Sequence, residues 1–173
     1  MPKMLILRGN HGAAYPDEEG KAHDYKRGAL HERAAIEYAS RKGYEGEVLD
    51  VSGDPGGHGN RSKSPQTLMA LDRFFHDGSV AAFYGFSGGG YNVWWILRSL
   101  KDEDLKRIKL VVVLGAPDRP KSEYESSSFK AGNWELVYRT NPPKSAAVVP
   151  KGVDSHMFGP EWLLSETDDP DKR

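Results

Sequence analysis

The chain has 173 residues, with 24 basic and 25 acidic side chains in near balance. That length gives one domain with a sizeable core, and the balance argues against a partner held by bulk charge, such as a nucleic acid or an anionic membrane surface. The chain has no cysteine, which excludes a disulfide scaffold, a thiolate zinc site and a cysteine nucleophile.

The first apolar run, residues 4–7, reads as a buried strand that stops at the loop "RGNHG". It is too short, and too interrupted by charge, for a signal peptide, and no stretch is long enough to span a bilayer. The expectation is a soluble, cytoplasmic protein. Residues 25–42 follow as a helix, with Ala29, Ala35, Ile36 and Ala39 at helical spacing and Gly43 as its stop. "EVLDV" is the next strand and opens into "SGDPGGHGN", a loop too rich in Gly and Pro to be regular.

Ser64-Pro65 starts a second helix, serine as cap and proline in the first turn, with Leu68, Leu71, Phe74 and Phe75 as its expected apolar face. "SVAAFYGF" is a strand, and residues 91–100 are a helix with Val93, Ile96, Leu97 and Leu100 on one side. "IKLVVVLGAP" is apolar throughout, as a central parallel strand should be. Residues 118–133 carry four serines and several charges, and read as a mobile loop able to cover a site. "WELVYRT" is another strand, "AAVVP" a short last one, and "HMFGPEWLL" leads into a final helix before a polar tail. Strands alternate with helices to the end. The expected fold is therefore α/β, a three-layer sandwich with a mostly parallel central sheet, formed by residues 1–173 as a single domain.

One stretch carries chemistry. In "AFYGFSGGGYNVWW", Gly85, Ser87 and Gly89 match G-x-S-x-G between a strand and an amphipathic helix. A sharp strand-to-helix turn strains the serine backbone and pushes its hydroxyl outward, and the residues two before and two after must be small. The turn sets the Gly88 N–H at a helix start, where it has no intrahelical partner and favours a developing oxyanion.

On "GFSGGG", its place between a strand and a helix, and the order of the later elements, the sequence resembles the α/β-hydrolase superfamily. The resemblance implies a compact α/β-hydrolase-like domain and a nucleophile, acid, histidine order. Ser87 would then be the nucleophile and His156, after the last candidate strand, its base. The family's common place for the acid follows "WELVYRT", where this chain has Asn141-Pro142-Pro143 and no carboxylate. Some members place it one strand earlier, which selects Asp118, with Asp154 as runner-up. The second oxyanion donor would be the backbone N–H of Asn10 or His11, with Asn10 preferred.

The function so implied is a serine hydrolase that cleaves a small ester, thioester or amide through an acyl-enzyme, with no cofactor and no metal. Its partner is a small-molecule or acylated substrate. A metal site from His11, His58 and His156 lacks supporting spacing. Two alternatives stand beside this: a phosphate or nucleotide cradle built on "GFSGGGYN", and a degenerate hydrolase acting by binding. Trp94 and Trp95 read as packing residues.

Overall fold

The computed structural model describes residues 1–9, 22–51, 59–142, 149, 151, 155–156 and 158–167. Along the chain these form β1 (Lys3–Leu7), α1 (Ala22–Arg41), β2 (Glu45–Val48), α2 (Pro65–His76), β3 (Val80–Phe86), α3 (Gly88–Arg98), α4 (Asp102–Leu105), β4 (Leu110–Leu114), α5 (Lys121–Tyr124), a 3-10 turn (Ser127–Phe129), β5 (Glu135–Arg139) and α6 (Gly159–Thr167). The expected strand "AAVVP" lies largely outside the described residues.

The five strands form one all-parallel sheet in the order β2-β1-β3-β4-β5. Alternate residues of each strand point to opposite faces, and the core divides accordingly. Leu5, Leu7, Phe83, Val111 and Val113 pack with Phe74 of α2 and with Val93, Ile96 and Leu97 of α3. Met4, Ile6, Ala82, Tyr84, Leu110, Val112 and Leu114 pack with Ala35, Tyr38 and Ala39 of α1 and Leu163 of α6. The result is the three-layer α/β sandwich the element order implied. β4 is buried along its whole length, which accounts for its unbroken apolar sequence.

After β1 the chain turns to one side to lay down β2, then returns to place β3 on the other side of β1. Strand order reverses between β1 and β3, and in open parallel sheets ligands bind beyond the carboxyl ends of the strands at such a point. The residues that leave those two ends are Arg8-Gly9 and Ser87.

Three details differ from the sequence reading. The buried face of α2 is Gln66, Thr67, Ala70 and Phe74, while Leu68 and Phe75 are about half exposed. Polar groups of α2 pair inside the molecule, so hydrophobicity alone picks the wrong face. Helix α3 begins at Gly88, directly after Ser87, and takes all three glycines into its first turn. Residues 118–133 are not a loose cover: α5 and the 3-10 turn occupy them, and Tyr124 and Phe129 are anchored in the core. The Tyr124 hydroxyl also donates to the Gly90 carbonyl at 2.7 Å.

Candidate active site

Ser87 is the turn between β3 and α3, with φ 56° and ψ −124°. It is the only non-glycine residue with positive φ among those described. Such backbone costs about 1–3 kcal/mol and persists only where the surroundings impose it. Here two bonds impose it: the Ser87 N–H donates to the Leu114 carbonyl at 2.7 Å, and the Ser87 carbonyl accepts from the Gly90 N–H at 2.9 Å.

The glycines on either side have steric reasons. A Cβ on Gly85 would lie 2.6 Å from the Gly89 carbonyl carbon, and one on Gly89 would lie 2.6 Å from the Leu7 carbonyl oxygen. Both contacts are with backbone, which cannot swing away. Glycine is a poor helix former, by up to about 1 kcal/mol relative to alanine in a helix interior, and three of them open α3. The close passage of strand against helix offsets that cost by bringing the elbow under the end of β1. Gly9 completes the approach, because a Cβ there would sit 3.1 Å from the Ser87 Cβ.

His156 comes from the turn before α6 and reaches across the sheet edge. Its Nε2 lies 2.9 Å from Ser87 Oγ. The ring stacks on Phe86 with centroids 5.1 Å apart, which fixes its plane. Gly115, at the end of β4 with φ +69°, makes room for it. A Cβ there would lie 3.0 Å from His156 Cε1 and 3.3 Å from Asn141 Oδ1.

The other ring nitrogen, Nδ1, lies 2.7 Å from Asn141 Oδ1. An amide oxygen can only accept, so Nδ1 carries the proton and Nε2 presents a lone pair to the serine hydroxyl. That is the tautomer a general base needs. Asn141 follows β5, the strand next but one to that of Ser87, which is where the resemblance places an acid.

The structure therefore brings Ser87 and His156 together, and puts Asn141 where the sequence reading set Asp118. The exposed Asp118 carboxylate takes the Tyr91 hydroxyl at 3.4 Å instead. It leaves β4 on the side where α3 and Tyr91 lie, while the imidazole is reached from the end of β5. Burial pushes the Tyr91 phenol above its usual range, so it remains a neutral donor to that carboxylate. Asn10, His11, His58 and Asp154 lie outside the described residues.

Gly88 is buried at the first position of α3, with its N–H at the positive end of the helix. Its carbonyl accepts from Arg61 Nη1 at 3.2 Å. Arg61 also donates to Asn92 Oδ1 at 3.1 Å and lies over the Tyr91 ring. Sequence reasoning passed over Arg61, Gln66, Asn92 and Asn141. For Asn141 the signal was its position after β5. For Gln66 and Asn92 it was a polar residue on a helix face turned toward its neighbour; for Arg61, which precedes α2, there was none.

Among the described residues no group of three His, Asp or Glu side chains is placed to hold a metal ion, and no helix is long and apolar enough to cross a membrane. Comparison with protein-family models, with curated proteins and with solved structures finds no match.

Proposed function

We propose that this protein is an α/β-hydrolase-like serine hydrolase that cleaves a small ester, thioester or amide through an acyl-enzyme. The observation that carries the reading is the 2.9 Å contact between His156 Nε2 and Ser87 Oγ at a strained strand-to-helix turn. Strain at a serine, a histidine in the right tautomer and a helix start beside both are the parts that acyl transfer requires.

The hydrolase reading implies the following steps. Ser87 Oγ attacks the carbonyl carbon while its proton passes to His156 Nε2. The carbonyl oxygen becomes an oxyanion, stabilised by the Gly88 N–H and by a second donor from the loop after β1. The intermediate collapses, the bond to the leaving group breaks, and the leaving group takes the proton from Nε2. Water then gives a proton to Nε2 and attacks the acyl carbon. Collapse of that second intermediate releases the carboxylic acid and returns the proton to Ser87. Asn141 accepts from Nδ1–H throughout and holds the ring. The substrate is a small molecule or an acyl group carried on a larger one. The setting we propose is the cytoplasm, which a chain without cysteine suits.

One observation favours a second reading, a hydrolase fold that acts by binding. The group at Nδ1 is a neutral amide, which orients the imidazole but stabilises the imidazolium less than a carboxylate does. A fluorophosphonate probe separates the two readings. The hydrolase reading expects one adduct by intact mass, mapped to Ser87 and abolished in Ser87→Ala and His156→Ala. A folded protein that takes no adduct rejects it in favour of the binding reading.

A further inference from the structure

β1 ends at Leu7, and beyond it the Arg8 peptide group has left the sheet ladder. Its N–H and C=O still need partners. One side chain supplies both: Gln66 Oε1 accepts from the Arg8 N–H at 2.6 Å, and Gln66 Nε2 donates to the Arg8 carbonyl at 3.0 Å. Gln66 is fully buried in the first turn of α2 and acts as one more rung of sheet. The Arg8 guanidinium is tied separately, to Glu32 at 2.6 Å and the Val51 carbonyl at 3.1 Å.

The Gln66 amide is itself oriented. Arg61 can only donate, so the Asn92 amide turns Oδ1 toward it and Nδ2 toward Ser64 Oγ and Thr67 Oγ1, each at 2.9 Å. Asn92 Oδ1 also lies 3.4 Å from Gln66 Nε2, which sets that nitrogen on the carbonyl side of Arg8. Arg61 meanwhile holds the Gly88 carbonyl. One buried network thus grips the end of β1 and the start of α3, the two segments beside Ser87.

We infer that Gln66 is a positioning residue for Ser87: by clamping the Arg8 peptide it fixes where Arg8 and Gly9 pass the nucleophile. The inference rests on the hydrolase reading. Gly9, the next residue, lies against the Ser87 side chain. A shift of the Arg8 peptide carries directly into Gly9 and its packing against Ser87, and a misplacement of about 1 Å at a reacting group costs roughly a hundredfold in rate.

The test compares wild type with Gln66→Met, which keeps the volume and removes both bonds, and with Gln66→Glu, which keeps the acceptor and removes the donor. Phe74→Leu serves as a core destabilised outside the network. The readouts are the second-order rate of fluorophosphonate labelling at Ser87, kcat and KM on p-nitrophenyl acetate, the melting temperature, and amide exchange in the peptide spanning the loop after β1. The inference expects Gln66→Met to lose at least roughly tenfold in labelling and kcat with KM within about twofold. Gln66→Glu should lose less, and both should exchange faster in that peptide.

Labelling by Gln66→Met at the wild-type rate, or slowed only as much as by Phe74→Leu, overturns the inference and leaves the hydrolase reading intact. If Gln66→Met does not fold, Gln66→Glu decides on the same terms. If wild type takes no label, the hydrolase reading fails. Amide exchange then judges the clamp alone, and exchange unchanged from wild type overturns it.

Discussion

His156 Nδ1 meets Asn141 Oδ1 at 2.7 Å, on the side of the ring away from Ser87. An amide in that position supplies the tautomer without supplying charge. Asn141→Asp should therefore raise the labelling rate of Ser87, by roughly tenfold or more, because a carboxylate also stabilises the imidazolium formed in the transition state. Asn141→Ala should lower it by a comparable factor through loss of orientation. Rates that stay flat across wild type, Asp and Ala would remove Asn141 from the site.

Backbone strain at Ser87 makes a separate prediction. Ser87→Ala and Ser87→Gly both delete the hydroxyl, but only glycine relieves a φ of 56°. Strain of about 1–3 kcal/mol, set against the larger unfolded-state entropy of glycine, leaves Ser87→Gly more stable than Ser87→Ala by about 1 kcal/mol. Urea unfolding of the two variants measures the difference, and an alanine variant as stable as the glycine one would contradict it.

Gly89→Ala should be among the most damaging single substitutions in the chain. The added Cβ would stand 2.6 Å from the Leu7 carbonyl oxygen and 2.8 Å from that of Arg8. Both oxygens belong to backbone, so α3 must shift bodily, at about 2–4 kcal/mol. For a domain of this size that lowers the melting point by roughly 5–10 °C. A thermal scan checks it.

Among the described carboxylates away from the site, Asp77 is the one held well below its ordinary value. Asp77 accepts from the Ser79 hydroxyl and backbone N–H and pairs with Lys3 at 3.1 Å, which together hold its pKa down at about 2 against an ordinary 3.8. A depressed carboxylate contributes stability above its unfolded value and loses it as pH falls through the folded one. The contribution should therefore fade between pH 4 and 2. Asp77→Asn should flatten the melting temperature over that window and be least stable relative to wild type at neutral pH. A parallel fall in both proteins would assign the acid limb elsewhere.

How far the sequence reaches can be seen residue by residue. The alternation of strand and helix, the unbroken apolar run of β4, the Ser64-Pro65 helix start and the glycines around Ser87 are local patterns. Each reports a demand that the chain meets within a few residues: a period of burial, a cap, a Cβ that cannot fit. These were legible, and they carried the α/β class and the elbow. The Leu68 and Phe75 face of α2 was misjudged for the same local reason, since counting apolar residues ignores a helix face whose polar groups pair with another helix.

The partners of the site were set by tertiary structure. Whether a residue stands beside His156 depends on which strand ends converge at the sheet edge, and Asn141 arrives there from β5 while Asp118 leaves β4 toward Tyr91. The grip of Gln66 on Arg8 joins residues 58 positions apart, and no periodicity records it. Short-range sterics and burial dictate the elements and the elbow, so both are written in the local sequence. What the imidazole and the Arg8 peptide lean on was settled by the folded chain, because those contacts exist only once distant segments have been brought together.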